Sequence, residues 1–256
     1  MTSTDHWSRH APELLNRDGP EHRPEERQNR LDRAFGYPYP APEHSYLFVD
    51  GNAQPLAAHF QADIERDGRI PVLAFGSNRA PAQLARKYQG WPTGTTIPVT
   101  RALITGWDVV YGSHIASYGS LPACLYPSPG TMATIAVNWL TPSQLDRMHE
   151  TEGPHDYAFS SVEAVDLAID ALPTPETVYY YRPLHTPFMH EGAPVALSAV
   201  SARGRRWRES DQRGAQMLLR DVLAPDSTLE DFVWAGITDA EVRRDRTRRL
   251  RAKPIK

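Results

Sequence analysis

The sequence has a single cysteine, Cys124, which excludes an internal disulfide and any multi-cysteine metal site and fits a reducing compartment. It has no apolar run of membrane-spanning length, and nothing near its start reads as a signal peptide. It lacks an overall basic charge: the formal net charge is −3, so no general attraction to nucleic acid or to a membrane surface is expected. Internal repeats and low-complexity tracts are absent. What remains is a chain of 256 residues, enough for one domain of ordinary size plus extensions. The expectation is a soluble, cytoplasmic protein with no membrane association; its oligomeric state is left open.

The chain is organised around Pro71-Val72-Leu73-Ala74-Phe75-Gly76-Ser77-Asn78-Arg79. An apolar run without alternation predicts a strand covered on both faces. It stops at Gly-Ser-Asn, where Gly76 permits a close approach that a side chain would forbid. Pro81 stands at a first-turn position and Leu84 and Tyr88 follow at helical spacing, so the turn feeds a short helix. Its free N–H groups would favour an anion or a developing oxyanion, and the stretch reads as a substrate-holding loop.

Upstream, residues 1–44 are rich in charge and proline and predict an extended or partly disordered arm with at most one short helix. Tyr37-Pro38-Tyr39-Pro40 could lie on the domain surface or move with the arm. The domain is expected over residues 45–235, starting with a strand at Tyr46–Val49 and a helix marked by Leu56, Phe60 and Ile64. Ala102-Leu103-Ile104 and Val109-Val110-Tyr111 bracket Gly106 as strand, bend and strand. Leu121–Tyr126 and Met132–Leu140 read as two strands around Pro127-Ser128-Pro129-Gly130, and Tyr157–Leu167 and Val178–Tyr181 as two more. Short strands between turn signals predict a strongly bent sheet or barrel. Ala196–Ala202 fits a strand or a helix start equally. Met217, Leu218 and Val222 mark a helix from Gln212, and Thr238-Asp239-Ala240-Glu241 caps a basic helix or tail over residues 236–256.

Thr141-Pro142-Ser143-Gln144 is a helix start with a threonine cap, proline at the first position and glutamine closing a capping box. This helix ends at Gly153-Pro154. Leu145, Met148 and Glu152 share one stripe, so Glu152 points inward while Glu150 faces the other way. Partial burial and the helix C-terminus both disfavour its negative charge, the tuning a general base near neutral pH uses. The competing reading ends the helix with the Glu152 head in solvent.

Phe75-Gly76-Ser77-Asn78 resembles the Tyr-Gly-Ser-Asn signature of γ-glutamylcyclotransferase domains. Ser128-Pro129-Gly130, an apolar strand, a helix and Glu152-Gly153 are similar to that family's second block. The resemblance covers about residues 70–200. It implies an α+β fold, a γ-glutamylcyclotransferase-like bent mixed β-barrel with surrounding helices. It implies an enzyme in which Glu152, the catalytic residue, takes a proton from the substrate's α-ammonium. The freed amine attacks the γ-carbonyl of the same molecule and releases 5-oxoproline with an amine or amino acid. Gly76, Ser77 and Asn78 carry over as substrate-binding residues, and Val72, Leu73, Ala74 and Phe75 as neighbours that present backbone. The partner is a small-molecule γ-glutamyl substrate, and the reaction needs no metal or cofactor. Phe75 in place of the signature tyrosine removes a hydroxyl, the family's Gly-Gly block reads Gly119-Ser120, and a late tyrosine has no counterpart near Val195. The alternative is a non-catalytic member of the fold that binds a small molecule or a partner.

Other chemistries fit less well. Ser77 lacks the second glycine of a Gly-x-Ser-x-Gly elbow, and His149, Glu150, Glu152, His155 and Asp156 do not form a His-Glu-x-x-His motif. Cys124 reads as a small core residue. Residues 201–256 hold 14 of the 28 lysines and arginines against 9 acids. Arg203, Arg205, Arg206 and Arg208 around Trp207, and the arginines from Arg243 to Arg251, could meet phosphate or an acidic partner, but solvated faces fit them better. Nucleic-acid binding is therefore disfavoured.

Overall fold

The structure, a computed structural model, describes residues 24–56, 59–92, 95–153, 155–163, 166–170 and 172–252. Residues 1–23 of the expected arm, Pro154, and residues 253–256 of the expected tail lie outside it. The chain order opens with α1 (Pro24–Phe35), β1 (Tyr46–Val49), β2 (Asn52–Pro55), α2 (Phe60–Arg66), β3 (Ile70–Ala74) and α3 (Pro81–Lys87). It continues with β4 (Thr96–Tyr111), β5 (Ala123–Leu140), α4 (Pro142–Thr151), β6 (Tyr157–Glu163), β7 (Leu167–Ile169) and β8 (Thr177–Pro183). Short strands β9 (Met189–His190), β10 (Ala193–Pro194), β11 (Ala196–Leu197), β12 (Ala202–Arg203) and β13 (Glu209–Ser210) precede α5 (Gln212–Leu223), α6 (Leu229–Thr238) and α7 (Ala240–Ala252). The architecture is mixed α+β.

The main sheet runs β13-β11-β4-β5-β3-β8-β6. It is mixed, because β3 lies antiparallel to β5 and parallel to β8. Its ends, β13 and β6, do not pair among the described residues, so the expected barrel is an open, curled sheet. β5 lies between β4 and β3. Ala136 pairs with Ala74 at the end of β3, and the same strand returns at Ala123, whose N–H meets Tyr37 Oη at 2.7 Å and whose carbonyl accepts from Tyr157 Oη at 3.0 Å. Two tyrosine hydroxyls thus satisfy the Ala123 backbone in place of a strand ladder.

The segments expected as separate strands on either side of Gly106 and of Ser128–Gly130 are continuous. β4 and β5 form one long hairpin whose register shifts between Thr105 and Trp107. Gly106 has φ +81°, the left-handed conformation a bulge uses, and Ser128 and Thr131 close the excursion opposite it with a 2.7 Å hydroxyl contact. The ambiguous 196–202 segment supplies strands β11 and β12 rather than a helix.

Two layers cover the sheet. On one face Val72, Ala74, Ala136 and Leu140 meet Leu84 and Tyr88 of the α3 region and Leu145 and Met148 of α4. On the other, Leu73, Phe75, Ile135 and Val137 join α1, α5 and α6 through Leu31, Leu219, Phe232 and Val233. Cys124 is fully buried.

The boundaries differ from expectation at both ends. Residues 24–44 are not an extended arm: α1 buries Leu31 and Ala34, and Tyr37 and Tyr39 enter the core. The helix reads as charged because its buried stripe is narrow, while Arg27 pairs with Asp231 and lies with Arg30 over the Trp234 ring. The boundary at residue 235 falls inside α6, and α7 is anchored by the buried Leu250. In α5 the predicted face is met only in part: Leu218 packs against the core. Met217 and Val222 are each 44% exposed, and Ala215, Gln216 and Leu219 turn inward, with Gln216 Nε2 donating to the Gly119 carbonyl at 2.8 Å.

Candidate functional site

Strand β3 ends at Ala74, and Ser77–Arg79 follow as a 3-10 turn. The seven predicted loop residues divide by alternation. Val72 and Ala74 enter one core, Leu73 and Phe75 the other, and Gly76, Ser77 and Asn78 form the turn itself. Part of the expected row of bare N–H groups is taken up. The Arg79 and Ala80 amides donate to the Gly76 and Ser77 carbonyls at 3.4 and 2.9 Å.

Helix α4 forms as its capping box dictates. Thr141 Oγ1 accepts from the Gln144 amide, Gln144 Oε1 accepts from the Thr141 amide, and Pro142 occupies the first turn. Glu152 is its C-cap. The stripe places Leu145 and Met148 in the core, whereas the Glu150 side chain is 60% exposed and paired with Arg147 at 2.8 Å. The Glu152 side chain is only 17% exposed. Its Oε1 accepts from Asn78 Nδ2 at 2.9 Å. The turn and the helix end, 74 residues apart in sequence, therefore meet through their polar side chains. Asn138, paired with Val72 across the sheet, holds the Asn78 carbonyl through Nδ2 at 3.1 Å.

Lys87 was not singled out in the sequence. Its Nζ lies 2.6 Å from Glu152 Oε1 and 2.9 Å from Thr151 Oγ1, with the side chain 6% exposed. The backbone is positioned from α4, where Arg147 Nε donates to the Lys87 carbonyl at 2.7 Å. A lysine in the last turn of a short helix reads as a solvated cation; only its contact with α4 makes it the counter-charge of Glu152.

Tyr37, expected either on the domain surface or on a moving arm, is buried at the site. Its phenol oxygen would lie 2.4 Å from a Cβ built on Gly76, so the close approach that Gly76 permits is used by the chain itself. Burial pushes the phenol pKa up, and the charge of Glu152 acts in the same direction, while the backbone N–H groups of Ala123 and Ser77 oppose them. Burial likewise raises Tyr118, Tyr157 and Tyr181, again with Glu152 adding to it. These phenols stay protonated around one carboxylate. Gly76→Ala is expected to lower stability by about 1–3 kcal/mol, because the added methyl must displace a buried phenol. Denaturant unfolding checks this, and an unchanged midpoint would mean that Tyr37 is not held against the turn.

Behind Glu152, Asp156 takes the guanidinium of Arg251 from α7, whose Nε donates to the Ser113 carbonyl at 3.2 Å. His114 Nε2 lies 3.7 Å from Asp156, and burial pushes its pKa down to about 4, so it is neutral near pH 7. The acids and histidines around α4 are thus dispersed. His149 Nδ1 contacts Tyr181 Oη at 2.9 Å, and His155 is exposed. Among the described residues no group of three or more His, Cys, Asp or Glu side chains could hold a metal ion, and no helix is long and apolar enough to cross a membrane.

No protein-family model matches the chain, and no curated protein does so. Among solved structures, the solution structure of an Arabidopsis thaliana protein aligns at 18% identity with a TM-score of 0.34, over 45% of this chain and 62% of that one.

Proposed function

We propose that the chain is a γ-glutamylcyclotransferase-like enzyme, its curled α+β sheet a variant of that fold. The observation that carries this reading is the 2.9 Å contact between Asn78 and Glu152, which joins the two motifs of the sequence resemblance. Glu152 takes one proton from the substrate's α-ammonium. The freed amine attacks the γ-carbonyl carbon, Glu152 returns the proton to the leaving nitrogen as its bond to that carbon breaks, and the ring nitrogen, which still carries two hydrogens, gives up one through Glu152 to the departing amine, which leaves as an ammonium. The products are 5-oxoproline and an amine or amino acid. Ring closure to five atoms within one molecule needs little more than a folded substrate and a base that moves protons from the attacking to the leaving nitrogen. The Tyr37 hydroxyl, which accepts from the Ala123 amide and lies against Gly76, meets the carbonyl oxygen as its charge grows. In this role it stands in for the hydroxyl that Phe75 lacks.

A second reading, a non-catalytic binding module of the same fold, is favoured by the pairing of Glu152 with Lys87, which occupies the carboxylate before any substrate arrives. Incubation with γ-glutamyl amines, γ-glutamyl amino acids and glutathione separates the two. Release of 5-oxoproline from at least one of them is expected. Binding without release across the whole panel would establish the module instead.

A further inference from the structure

The Glu152–Lys87 pair is half-satisfied in a specific way. Glu152 Oε1 receives both Asn78 Nδ2 and Lys87 Nζ, while Oε2 accepts no hydrogen bond among the described residues. The ammonium of Lys87 has three N–H donors and uses two, on Glu152 and on Thr151. Asn138 Oδ1, on the residue that holds Asn78, is buried without a donor. Nearby cations are committed elsewhere: Arg147 to Glu150 and the Lys87 carbonyl, Arg251 to Asp156 and the Ser113 carbonyl. The site therefore offers one free carboxylate oxygen and one free ammonium donor on a pair whose bonded atoms are 2.6 Å apart.

An α-amino-acid head is the mirror of this arrangement, an ammonium and a carboxylate on one carbon, about 3 Å apart by standard bond lengths. We infer that the Glu152–Lys87 pair reads the free α-amino-acid head of the substrate, with Glu152 Oε2 taking the α-ammonium and Lys87 Nζ the α-carboxylate. The inference deepens the cyclotransferase reading and rests on it for the reaction, but it concerns recognition. Docked in opposite sense, the two zwitterions exchange two charge-assisted hydrogen bonds. The substrate carboxylate draws part of the Lys87 charge away from Glu152 as the α-ammonium arrives, so the base becomes available when it is needed. A substrate whose α-carboxylate is blocked leaves the buried Lys87 donor unmet, and such mismatches discriminate strongly. Lys87 is then the residue that restricts the enzyme to substrates with an unmodified glutamyl head.

The test compares L-γ-glutamyl-methylamide with the same compound carrying an α-carboxamide, on the full chain and on Lys87→Met and Lys87→Arg. The wild type is expected to prefer the free acid by at least about a hundredfold in kcat/KM. Lys87→Met should raise KM for the acid and shrink that preference below about tenfold, and Lys87→Arg should restore part of it. Use of the α-carboxamide by the wild type within fivefold of the acid overturns the inference, a result that needs no variant to fold. Undiminished preference in a folded Lys87→Met protein overturns it too. If neither compound turns over, calorimetry decides. Binding of the acid alone, lost in Lys87→Met, supports the head-reading pair while sinking the catalytic reading, and no binding of the acid sinks both.

Discussion

Replacing Glu152 by glutamine is expected to lower the rate of 5-oxoproline release by about a hundred- to ten-thousand-fold, the usual contribution of a general acid–base group. The amide keeps the shape and can still accept from Asn78, but it neither takes nor returns a proton. The loss should fall on kcat, with KM less affected. The structure adds a second effect that helix periodicity alone did not anticipate. Lys87, 6% exposed, would face an uncharged partner, so the variant should also unfold at lower temperature. Glu150→Gln separates the two. Its carboxylate is 60% exposed on the far side of α4 and paired with Arg147, and neither rate nor melting temperature should move appreciably. Near-normal turnover by Glu152→Gln would end the case for this carboxylate as the base.

The largest expected effect on stability is at Asp108. This carboxylate is fully buried beneath the 200–210 segment and accepts from Arg205 Nε and Nη2 at 2.9–3.1 Å, and from the Val109 amide at 2.8 Å. Arg205 is 5% exposed and also donates to the Val200 carbonyl at 2.8 Å. Asp108→Ala leaves the buried guanidinium with the Val200 carbonyl and the half-exposed Glu209 carboxylate at 3.4 Å as its partners, and removing one partner of a buried pair typically costs about 3–5 kcal/mol. For a domain of this size that corresponds to a fall in Tm of roughly six to twenty degrees. Replacing both residues by leucine should recover much of the loss, because a buried ion pair is often no more stabilising than apolar residues of similar volume. A Tm for Asp108→Ala within about two degrees of wild type would show that the pair contributes little. Arg205, grouped in the sequence with Arg203, Arg206 and Arg208, is thereby removed from any surface that could meet phosphate, whereas the other three remain exposed.

These two sites differ in how far they could be read in advance. The turn after β3, the capping box of α4 and the inward stripe ending at Glu152 rest on short-range rules: apolar runs, cap residues and helical spacing. The structure places Leu145, Met148 and Glu150 on the faces that spacing predicts. Lys87, Asn138, Tyr37 and Arg205 are polar or amphipathic residues whose burial depends on partners 60 or more residues away. No local pattern marks such partners. The same reason explains α5, where Gln216 is buried because Gly119 offers it an acceptor, and the exposed Met217 and Val222 imitate a core face. The Pro-rich residues 37–40 misled for a different reason: proline signals an irregular backbone, and irregular backbone can still be interior.

The guanidinium of Arg251 on Asp156 bears on the order in which a growing polypeptide can finish this protein. The contact spans 95 residues, and the Tyr37 contact with Ala123 spans 86. Such long loops close late, after local hairpins and helices have formed. On the ribosome, a nascent chain that has delivered everything through α6 can already fold the β4–β5 hairpin and bring Asn78 to Glu152. The Asp156 carboxylate waits for its counter-charge until α7 follows, although its backbone is already held, its carbonyl accepting from the Leu184 amide at 2.9 Å. A stalled or prematurely terminated product would therefore carry the turn and Glu152, joined through Asn78 and Lys87, beside an Asp156 carboxylate that lacks the Arg251 guanidinium.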